Sequence, residues 1–370
     1  MSIDRTQTAA LAKAPNEDAG IPGAAMATLV PGLRKIAVAS GQTLLAAALD
    51  AGIDYPHGCK AGRCGNCKSR LVSGKVELLE HTRFALSAEE REAGLILACR
   101  ALPKSDVTVA WLGDEETLPA HPLVRTGAEV VSVEEATHDI RILRLRPKCG
   151  PMMFSAGQYA TLTLPGLPPR DYSMASRPGE GILEFHVRLV SKGRISAAVH
   201  RLAPGDLLEF EGPRGSAYLR PGHTGPILAV AGGSGLAPVQ AILASLVDLG
   251  MRQPVRVYLG VREERDLYGL EALQALGRRH GDMQVTPVLS MGRPGGRHRT
   301  GFVHEAVRAD LPALKGWCCY TAGPPVMIDA LTETALAAGL RRSDLHADVF
   351  FTPEERSGQD GGKPAGDVIP

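Results

Sequence analysis

The sequence of 370 residues lacks the features that would direct it into a membrane, onto nucleic acid or out of the cell. No apolar run approaches the ~18–20 residues that a transmembrane helix needs. The N-terminal stretch from Met1 to about Met26 has neither the basic start nor the continuous apolar segment of a secretory signal. The net charge is +1, so no overall field favours nucleic acid or a membrane surface. These absences predict a cytoplasmic protein without nucleic-acid or membrane partners.

The composition is that of a globular protein, with 44% hydrophobic and 22% charged residues. The length allows roughly two or three domains. We expect a β-rich segment at 27–113, a linker at 114–123, a segment of short strands at 124–222 and alternating strands and helices at 223–352. The ends, 1–26 and 353–370, are expected to be a disordered extension and tail.

Two of these segments have clear strand patterns. Short strands broken by glycine and proline recur through 124–222, which predicts an antiparallel β-barrel. From Pro226–Ala231 onward, apolar strands alternate with helical runs, which predicts a parallel sheet. The fold class is therefore multidomain, mixing α+β and α/β parts.

Seven cysteines and the lack of an export signal argue against a disulfide framework. Three of them follow the spacing Cys59-x4-Cys64-x2-Cys67, and Cys99 lies downstream. A plant-type [2Fe–2S] cluster is held by four thiolates with this kind of spacing. The glycines of the loop, Gly58, Gly62 and Gly65, would let the backbone wrap around the irons. A structural zinc site is the alternative, although zinc sites favour paired Cys-x2-Cys spacings. Cys149, Cys318 and Cys319 are expected to be ordinary core or loop residues.

A flavin site is indicated by two motifs in the barrel segment. Arg170 suits a phosphate, Tyr172 suits an aromatic ring and Ser173 suits the hydride-accepting N5 atom of a flavin. Gly193 and Ser196 begin a helical run whose amides suit a pyrophosphate. The alternative reading of the first motif is a strand end with a surface arginine and a half-buried tyrosine.

A dinucleotide site is indicated by two turns that follow apolar strands. The first contains Gly232, Gly233, Ser234, Gly235, Ala237 and Pro238, and the second contains Gly323, Pro324 and Pro325. Both turns would lie at the carboxyl edge of one parallel sheet, where dinucleotides bind. A plain strand–helix turn is the alternative for the first. The turn after the next strand mixes Arg262 and Arg265 with two glutamates, so the signals for the donor conflict; we expect NADH, with NADPH possible.

With these motifs in this order, the chain resembles the reductase components of bacterial multicomponent oxygenases, in the ferredoxin–NADP⁺ reductase superfamily. The resemblance covers roughly residues 27–352 and is closest to ferredoxin-first reductases that serve Rieske ring-hydroxylating dioxygenases and diiron monooxygenases. It implies a β-grasp-like [2Fe–2S] ferredoxin domain at 27–113, an FAD-binding barrel at 124–222 and a nicotinamide-binding domain at 223–352.

The resemblance also implies residue roles. It places the cluster on the four cysteines named above, the flavin on Arg170, Tyr172 and Ser173 with Gly193 and Ser196 at the phosphate, and the backbone of His186, Val187 and Arg188 along the flavin. The two glycine-containing turns correspond to the nicotinamide segments. Many relatives have cysteine where this chain has Ala322, and it stays open whether Phe350 or Phe351 covers the flavin.

The expected function is electron transfer from NADH through FAD and the [2Fe–2S] cluster to an oxygenase component or an intermediary ferredoxin, for aromatic-ring hydroxylation. Ser173 is the residue expected to tune the flavin. Lys60, Arg63, Lys68 and Arg70 are hypothesised to dock an acidic patch on the acceptor. The alternatives are a reductase for a diiron monooxygenase or a deoxysugar dehydratase, a redox sensor without sustained turnover, and a zinc-stabilised flavin reductase.

Overall fold

A computed structural model describes residues 24–350, except 31, 54, 58–59, 61, 63–64, 83–84, 113–120, 191–192 and 294, together with the backbone of 368–369. The described chain forms a mixed sheet, an antiparallel barrel and a parallel sheet, in that order. None of the described helices is long and apolar enough to cross a membrane.

The first unit is built on a five-stranded sheet of order β2-β1-β7-β3-β5. Its elements are β1 (Ala25–Val30), β2 (Arg34–Val38), α1 (Leu44–Asp50), β3 (Lys68–Ser73), β4 (Val76–Leu78), α2 (Ala88–Glu92), β5 (Leu95–Leu97), β6 (Ala101–Pro103) and β7 (Val107–Trp111). The terminal strand β1 pairs with β7 in parallel and with β2 antiparallel. Helix α1 packs its leucines and alanines into the core beneath this sheet.

Local sequence explains where the two helices begin. The hydroxyl of Thr43 accepts a hydrogen bond from the amide of Ala46 and caps α1. Helix α2 begins with a capping box between Ser87 and Glu90. Helix α2 was not predicted from the sequence, although the Ser-x-x-Glu spacing is a signal for such a helix.

The second unit is a six-stranded antiparallel sheet of order β11-β10-β13-β8-β9-β12. Its elements are β8 (Val124–Glu135), β9 (Ile140–Pro147), β10 (Tyr159–Thr163), β11 (Arg170–Ser173), β12 (Leu183–Arg188), α3 (Arg194–Val199) and β13 (Leu207–Arg214). A bridge between Met174 and Phe185 joins the two edges and closes the barrel around a core that includes Phe210. The predicted antiparallel barrel is confirmed. The Arg-x-Tyr-Ser motif forms the strand β11.

The third unit is a six-stranded parallel sheet of order β17-β16-β15-β14-β18-β19. Its elements are β14 (Ile227–Gly232), α4 (Leu236–Asp248), β15 (Val255–Val261), α5 (Leu270–His280), β16 (Met283–Leu289), β17 (Arg299–Thr300), α6 (Val303–Asp310), β18 (Cys318–Gly323), α7 (Pro325–Ala337) and β19 (Leu345–Val349). One buried cluster packs α4 and α5 on one face, and a second packs α6 and α7 on the other. The predicted parallel sheet is confirmed.

The strand order fixes the position of a ligand site in this sheet. The chain starts in the middle at β14, runs outward to β17 and then returns to place β18 on the other side of β14. The crevice at such a switch point, beyond the carboxyl ends of the two strands, is where α/β sheets bind ligands. The two predicted dinucleotide turns follow β14 and β18 and therefore flank this crevice.

Two smaller features complete the fold. Val368–Ile369 forms β20, which pairs antiparallel with β4, so these residues of the tail form a strand where the sequence predicted none. Cys318 and Cys319 are buried in β18 and Cys149 is exposed, as expected for core and loop cysteines.

Candidate active site

A cleft of about 330 Å³ lies between the barrel and the parallel sheet. Strand β11 contributes Arg170, Tyr172 and Ser173 to its wall, so the structure brings the three residues of the flavin motif together. The other predicted residues along it are His186, Arg188, Gly193, Ser196, Ser234 and Ala237. The aromatic side chain of Phe350 also lines the cleft, and Phe351 lies outside the described residues.

The hydroxyl of Ser173 donates a hydrogen bond to the carboxylate of Asp348, with 2.5 Å between Oγ and Oδ2. Asp348 is on β19, so this bond joins the barrel to the parallel sheet across the cleft. A hydroxyl–carboxylate bond of this length is a strong, charge-assisted one. The strand that contains Asp348 was expected from the sequence, but its carboxylate was not predicted as a site residue.

Strand β12 anchors the cleft through a buried polar network. The imidazole of His186 lies between the Tyr268 hydroxyl at 3.0 Å and the Glu184 carboxylate at 3.2 Å. The Tyr268 hydroxyl donates to the backbone carbonyl of Gly233, and burial raises the pKa of this phenol, so it remains a donor. Val187, between His186 and Arg188, is buried in the barrel core, in keeping with a backbone role only.

The predicted phosphate segment is braced by its own hydroxyl. The Oγ atom of Ser196 accepts from the amide of Val190 at 3.1 Å and donates to the carbonyl of Gly193 at 3.1 Å. A Cβ atom on Gly193 would lie 2.6 Å from that oxygen, so glycine is needed here. This arrangement holds the start of α3 in the cleft wall.

A second cleft, of about 370 Å³ and mostly apolar, opens at the switch point of the parallel sheet. It is lined by the predicted residues Gly232, Gly233, Arg262 and Pro324, and also by Phe302 and His304 at the start of α6. Arg188 lines both clefts, so the two sites are contiguous. Phe302 and His304 were not predicted as site residues from the sequence.

Other predicted glycines and prolines lie in the turns and first helical turns that follow β14 and β18. A Cβ atom on Gly235 would lie 2.1 Å from the carbonyl oxygen of Ala322, so the turn after β14 can approach β18 only with glycine. Gly323 has a φ of +151°. Pro238 is buried in the first turn of α4 and Pro325 begins α7, a position that suits proline.

The charges at the end of β15 bear on the choice of dinucleotide. The guanidinium of Arg262 lies 3.3 Å from Asp266 and 3.5 Å from Asp139. Asp139 also accepts a hydrogen bond from Arg188 at 2.9 Å, and although burial raises the pKa of this carboxyl, the arginine bond lowers it below its ordinary value. Arg262 therefore faces two carboxylates, which disfavours a 2′-phosphate beside it.

The described part of the cysteine loop fits a cluster site. Cys67 and Cys99 are both buried, and the sulfur of Cys67 accepts a hydrogen bond from the amide of Cys99 at 3.4 Å. Amide-to-sulfur bonds stabilise thiolates that hold iron. Gly62 and Gly65 have φ values of +70° and +79°, as the loop was expected to need. The other two predicted ligands, Cys59 and Cys64, lie outside the described residues.

The same loop contacts the barrel. The buried ring of His57 lies 2.9 Å from the hydroxyl of Tyr159, which lines the first cleft. Burial lowers the pKa of His57 to about 4, so the ring is uncharged at neutral pH. On the third unit, Arg342 approaches the loop so closely that a Cβ atom on Gly65 would lie 2.8 Å from its Nη2 atom.

The described side chains of the hypothesised basic docking rim have partners within the chain. Lys60 pairs with Asp171 of the barrel at 3.2 Å, and Lys68 pairs with Glu90 at 2.5 Å. Arg70 donates to the backbone carbonyl of Ala93 at the end of α2. Docking of an acidic patch at this rim stays a prediction, and Arg63 lies outside the described residues.

Three features together define a class of protein. They are a mixed-sheet unit with two buried free cysteines, a closed barrel with a polar cleft and a parallel sheet with a crevice at its switch point. The class is that of oxidoreductases that join an iron–sulfur domain to a flavin and nicotinamide module. Comparison with family profiles agrees: residues 29–104 match the 2Fe-2S iron-sulfur cluster binding domain, 127–218 the oxidoreductase FAD-binding domain and 229–333 the oxidoreductase NAD-binding domain.

Whole-chain relatives narrow the class. The chain is 36% identical to the ferredoxin–NAD(P)⁺ reductase component of the naphthalene 1,2-dioxygenase/salicylate 5-hydroxylase systems of Ralstonia sp., over 84% of this chain and 94% of that protein. It is 33% identical to the phenol 2-monooxygenase reductase component DmpP of Pseudomonas sp. (strain CF600), over 90% and 96%. The crystal structure of the Amycolatopsis cytochrome P450 reductase GcoB superposes with a TM-score of 0.70 at 34% identity, covering 88% of this chain and 98% of that one.

The chain therefore belongs to the family of ferredoxin-first, FAD- and [2Fe–2S]-containing reductase components of oxygenase systems. It is an oxidoreductase whose cofactors are FAD and a [2Fe–2S] cluster and whose electron donor is a reduced nicotinamide dinucleotide. The first domain matches an iron–sulfur profile, so the zinc alternative is not supported.

Proposed function

We propose that this chain takes electrons from NADH in the crevice between β14 and β18, passes them to FAD in the adjoining cleft and delivers them through the cluster loop to the oxygenase component of an aromatic-hydroxylating system. The observation that carries the proposal is contiguity: Arg188 lines both clefts, and Tyr159 of the flavin cleft contacts the cluster loop at His57. When bound, FAD supplies the chemistry that converts a two-electron donor into single electrons.

The chain's own residues would hold that cofactor in defined ways. Arg170 and the braced start of α3 would face its phosphates, and Tyr172 would lie against its ring system. Ser173, held by Asp348, presents a hydroxyl whose hydrogen-bonding direction is fixed, and we assign it the tuning role at the flavin. Cys59, Cys64, Cys67 and Cys99 would supply the thiolates of the cluster.

The donor site favours NADH over NADPH. Arg262 forms ion pairs with Asp139 and Asp266. A 2′-phosphate beside it would be repelled by the two carboxylates, and the arginine is already paired with them. Phe302 and His304 stack on one another with ring centroids 5.8 Å apart and give the crevice an aromatic wall. The preference for NADH is checked by measuring kcat/KM with NADH and with NADPH. A large preference for NADPH would contradict the assignment.

The acceptor is proposed from the relatives and from the chemistry of the cofactors. Proteins of this architecture are named for naphthalene dioxygenase and phenol monooxygenase systems, which act on aromatic compounds. We expect an oxygenase component, reached directly or through a small ferredoxin, in the cytoplasm where NADH is available. The test is reconstitution with NADH and the terminal oxygenase of a naphthalene dioxygenase or phenol monooxygenase system. Hydroxylated product that requires this chain supports the proposal, and NADH oxidation without product in both systems contradicts it.

A further inference from the structure

A buried hydrogen bond connects the cluster loop with the flavin cleft. His57 and Tyr159 are 102 residues apart in the sequence, yet the Nε2 atom of the histidine lies 2.9 Å from the tyrosine hydroxyl. His57 is 2% exposed and Tyr159 is 6% exposed. A polar pair this deeply buried between two folding units is costly to break, because each group would be left without water.

The other nitrogen of the ring also has a partner. The Nδ1 atom of His57 lies 2.7 Å from the carbonyl oxygen of Tyr55. A carbonyl oxygen only accepts, so Nδ1 carries a hydrogen and donates it to Tyr55. Both ring nitrogens of His57 are therefore hydrogen-bonded. Phenylalanine in place of Tyr159 would keep the aromatic ring but remove the hydroxyl that bonds Nε2.

Tyr159 belongs to the flavin cleft as well as to this bond. It begins β10, and its partner across the β10–β11 pair is Ser173. Its ring packs closely on Gly215, where a Cβ atom would lie 2.8 Å from ring carbons. The ammonium of Lys60 lies 5.1 Å from the ring centroid, a distance that allows a cation–π contact. Tyr159 is therefore fixed between the residue assigned to the flavin and the cluster loop.

Further contacts converge on the backbone of His57. The amide and the hydroxyl of Ser216 both donate to its carbonyl oxygen, at 3.1 Å and 2.6 Å. Asn66, next to Cys67, donates to the Ser216 hydroxyl at 3.2 Å. His57 lies two residues before Cys59. The segment after β13 thus contacts the loop at His57, before the first predicted cluster ligand, and at Asn66, between Cys64 and Cys67.

Building on the proposed function, we propose that Tyr159 and His57 are positioning residues that hold the cluster loop at the flavin cleft and thereby set the rate of electron transfer from the flavin to the cluster. They act through the position of the loop and take no part in hydride transfer. Loss of their bond lets the loop move away from the barrel while the dinucleotide crevice, on the other side of the flavin cleft, keeps its geometry.

The experiment compares three variants of the holoprotein by anaerobic stopped flow, with flavin and cluster reduction followed separately after mixing with NADH. Tyr159→Phe and His57→Gln break the pair from either side. Tyr258→Phe is the matched control, since it removes a tyrosine hydroxyl that donates to Asp310 at 3.0 Å in the third unit. We expect the ratio of cluster reduction to flavin reduction to fall roughly tenfold in the first two variants, because misplacement of a reacting group by 1 Å can cost about a hundredfold in rate.

Hydrogen–deuterium exchange gives a readout that does not depend on turnover. The amide of Ser216 is protected by the His57 carbonyl, so its exchange should speed up in Tyr159→Phe and His57→Gln and stay at the wild-type rate in Tyr258→Phe. If Tyr159→Phe fails to retain FAD, the Ser216 amide in His57→Gln provides the test. Faster exchange there supports the positioning role, and exchange at the wild-type rate contradicts it.

An unchanged ratio together with unchanged Ser216 exchange would overturn the inference. That result differs from failure of the proposed function, which would appear in the wild-type protein as absent flavin, absent iron or no reduction by NADH.

Discussion

The bond between Ser173 and Asp348 allows the sharpest prediction about the flavin site. Ser173→Ala removes a hydroxyl that lines the cleft and takes a donor from a carboxylate 2.5 Å away. A hydrogen bond to a charged group contributes about 1.5–3 kcal/mol. If most of this contribution is made in the transition state, flavin reduction by NADH should slow by roughly 10- to 100-fold. FAD should stay bound, because Arg170 and Tyr172 are unchanged.

The assay is anaerobic stopped flow at saturating NADH, with flavin content measured on the same preparation. Ser176→Ala is the matched control: its hydroxyl accepts from the amide of Glu184 at 3.2 Å in the same barrel, and it lies away from the cleft wall. This control should reduce its flavin at close to the wild-type rate.

A double-mutant cycle with Asp348→Asn tests whether the two residues act as a unit. Residues that share a hydrogen bond are typically coupled by about 0.5–3 kcal/mol, so the double variant should be less impaired than the sum of the single effects. Wild-type reduction rates in Ser173→Ala, or strictly additive effects in the cycle, would refute the assignment.

Three further predictions concern the cluster, the turn after β14 and pH. Cys67→Ser should lose iron and sulfide but keep bound flavin, because the cluster needs all its thiolates, and full iron content would contradict this. Gly235→Ala should lower stability by about 1–3 kcal/mol, seen as a lower Tm, because its Cβ would lie 2.1 Å from a carbonyl oxygen; an unchanged Tm would contradict the packing. Burial lowers the pKa of His346 from 6.5 to about 3. Between pH 6.5 and about pH 3, His346 is protonated in the unfolded chain but not in the folded one. The free energy of unfolding should therefore fall with acidification by at most about 1.4 kcal/mol per pH unit. In His346→Phe, the free energy of unfolding in urea should depend less on pH in this range. The same pH dependence in the variant and the wild type would contradict the lowered pKa of His346.

Much of the fold could be predicted because local patterns and long-range structure agree. The apolar run of β14 and the glycine turn after it predicted a buried parallel strand, and the structure buries every residue of Ile227–Gly232. The cysteine spacing predicted an iron–sulfur domain, and the matching profile confirms it. Short amphipathic helices such as α6 were missed, because eight residues with few apolar positions give a weak periodic signal.

The candidate site was predicted where function depends on residues close together in sequence, and missed where it depends on distant ones. Arg170, Tyr172 and Ser173 lie on one strand, so a short motif revealed them. Ser173 bonds Asp348 and Tyr159 bonds His57, and these two partners come from the other two units. Nothing in the spacing of a single sequence pairs residues 100 or more positions apart. The ion pair of Lys60 could not be predicted for the same reason, since the carboxylate that faces it is on the barrel.

The proposed function requires a continuous route for electrons from NADH to iron through one chain. Anaerobic titration of the purified protein with NADH, followed by visible absorption and by electron paramagnetic resonance, tests that route directly. We predict that NADH bleaches the flavin and then produces the signal of a reduced [2Fe–2S] centre, with iron and acid-labile sulfide in equal amounts. A flavin that is fully reduced while the iron–sulfur centre stays oxidised, or a protein that contains no sulfide, would contradict the account.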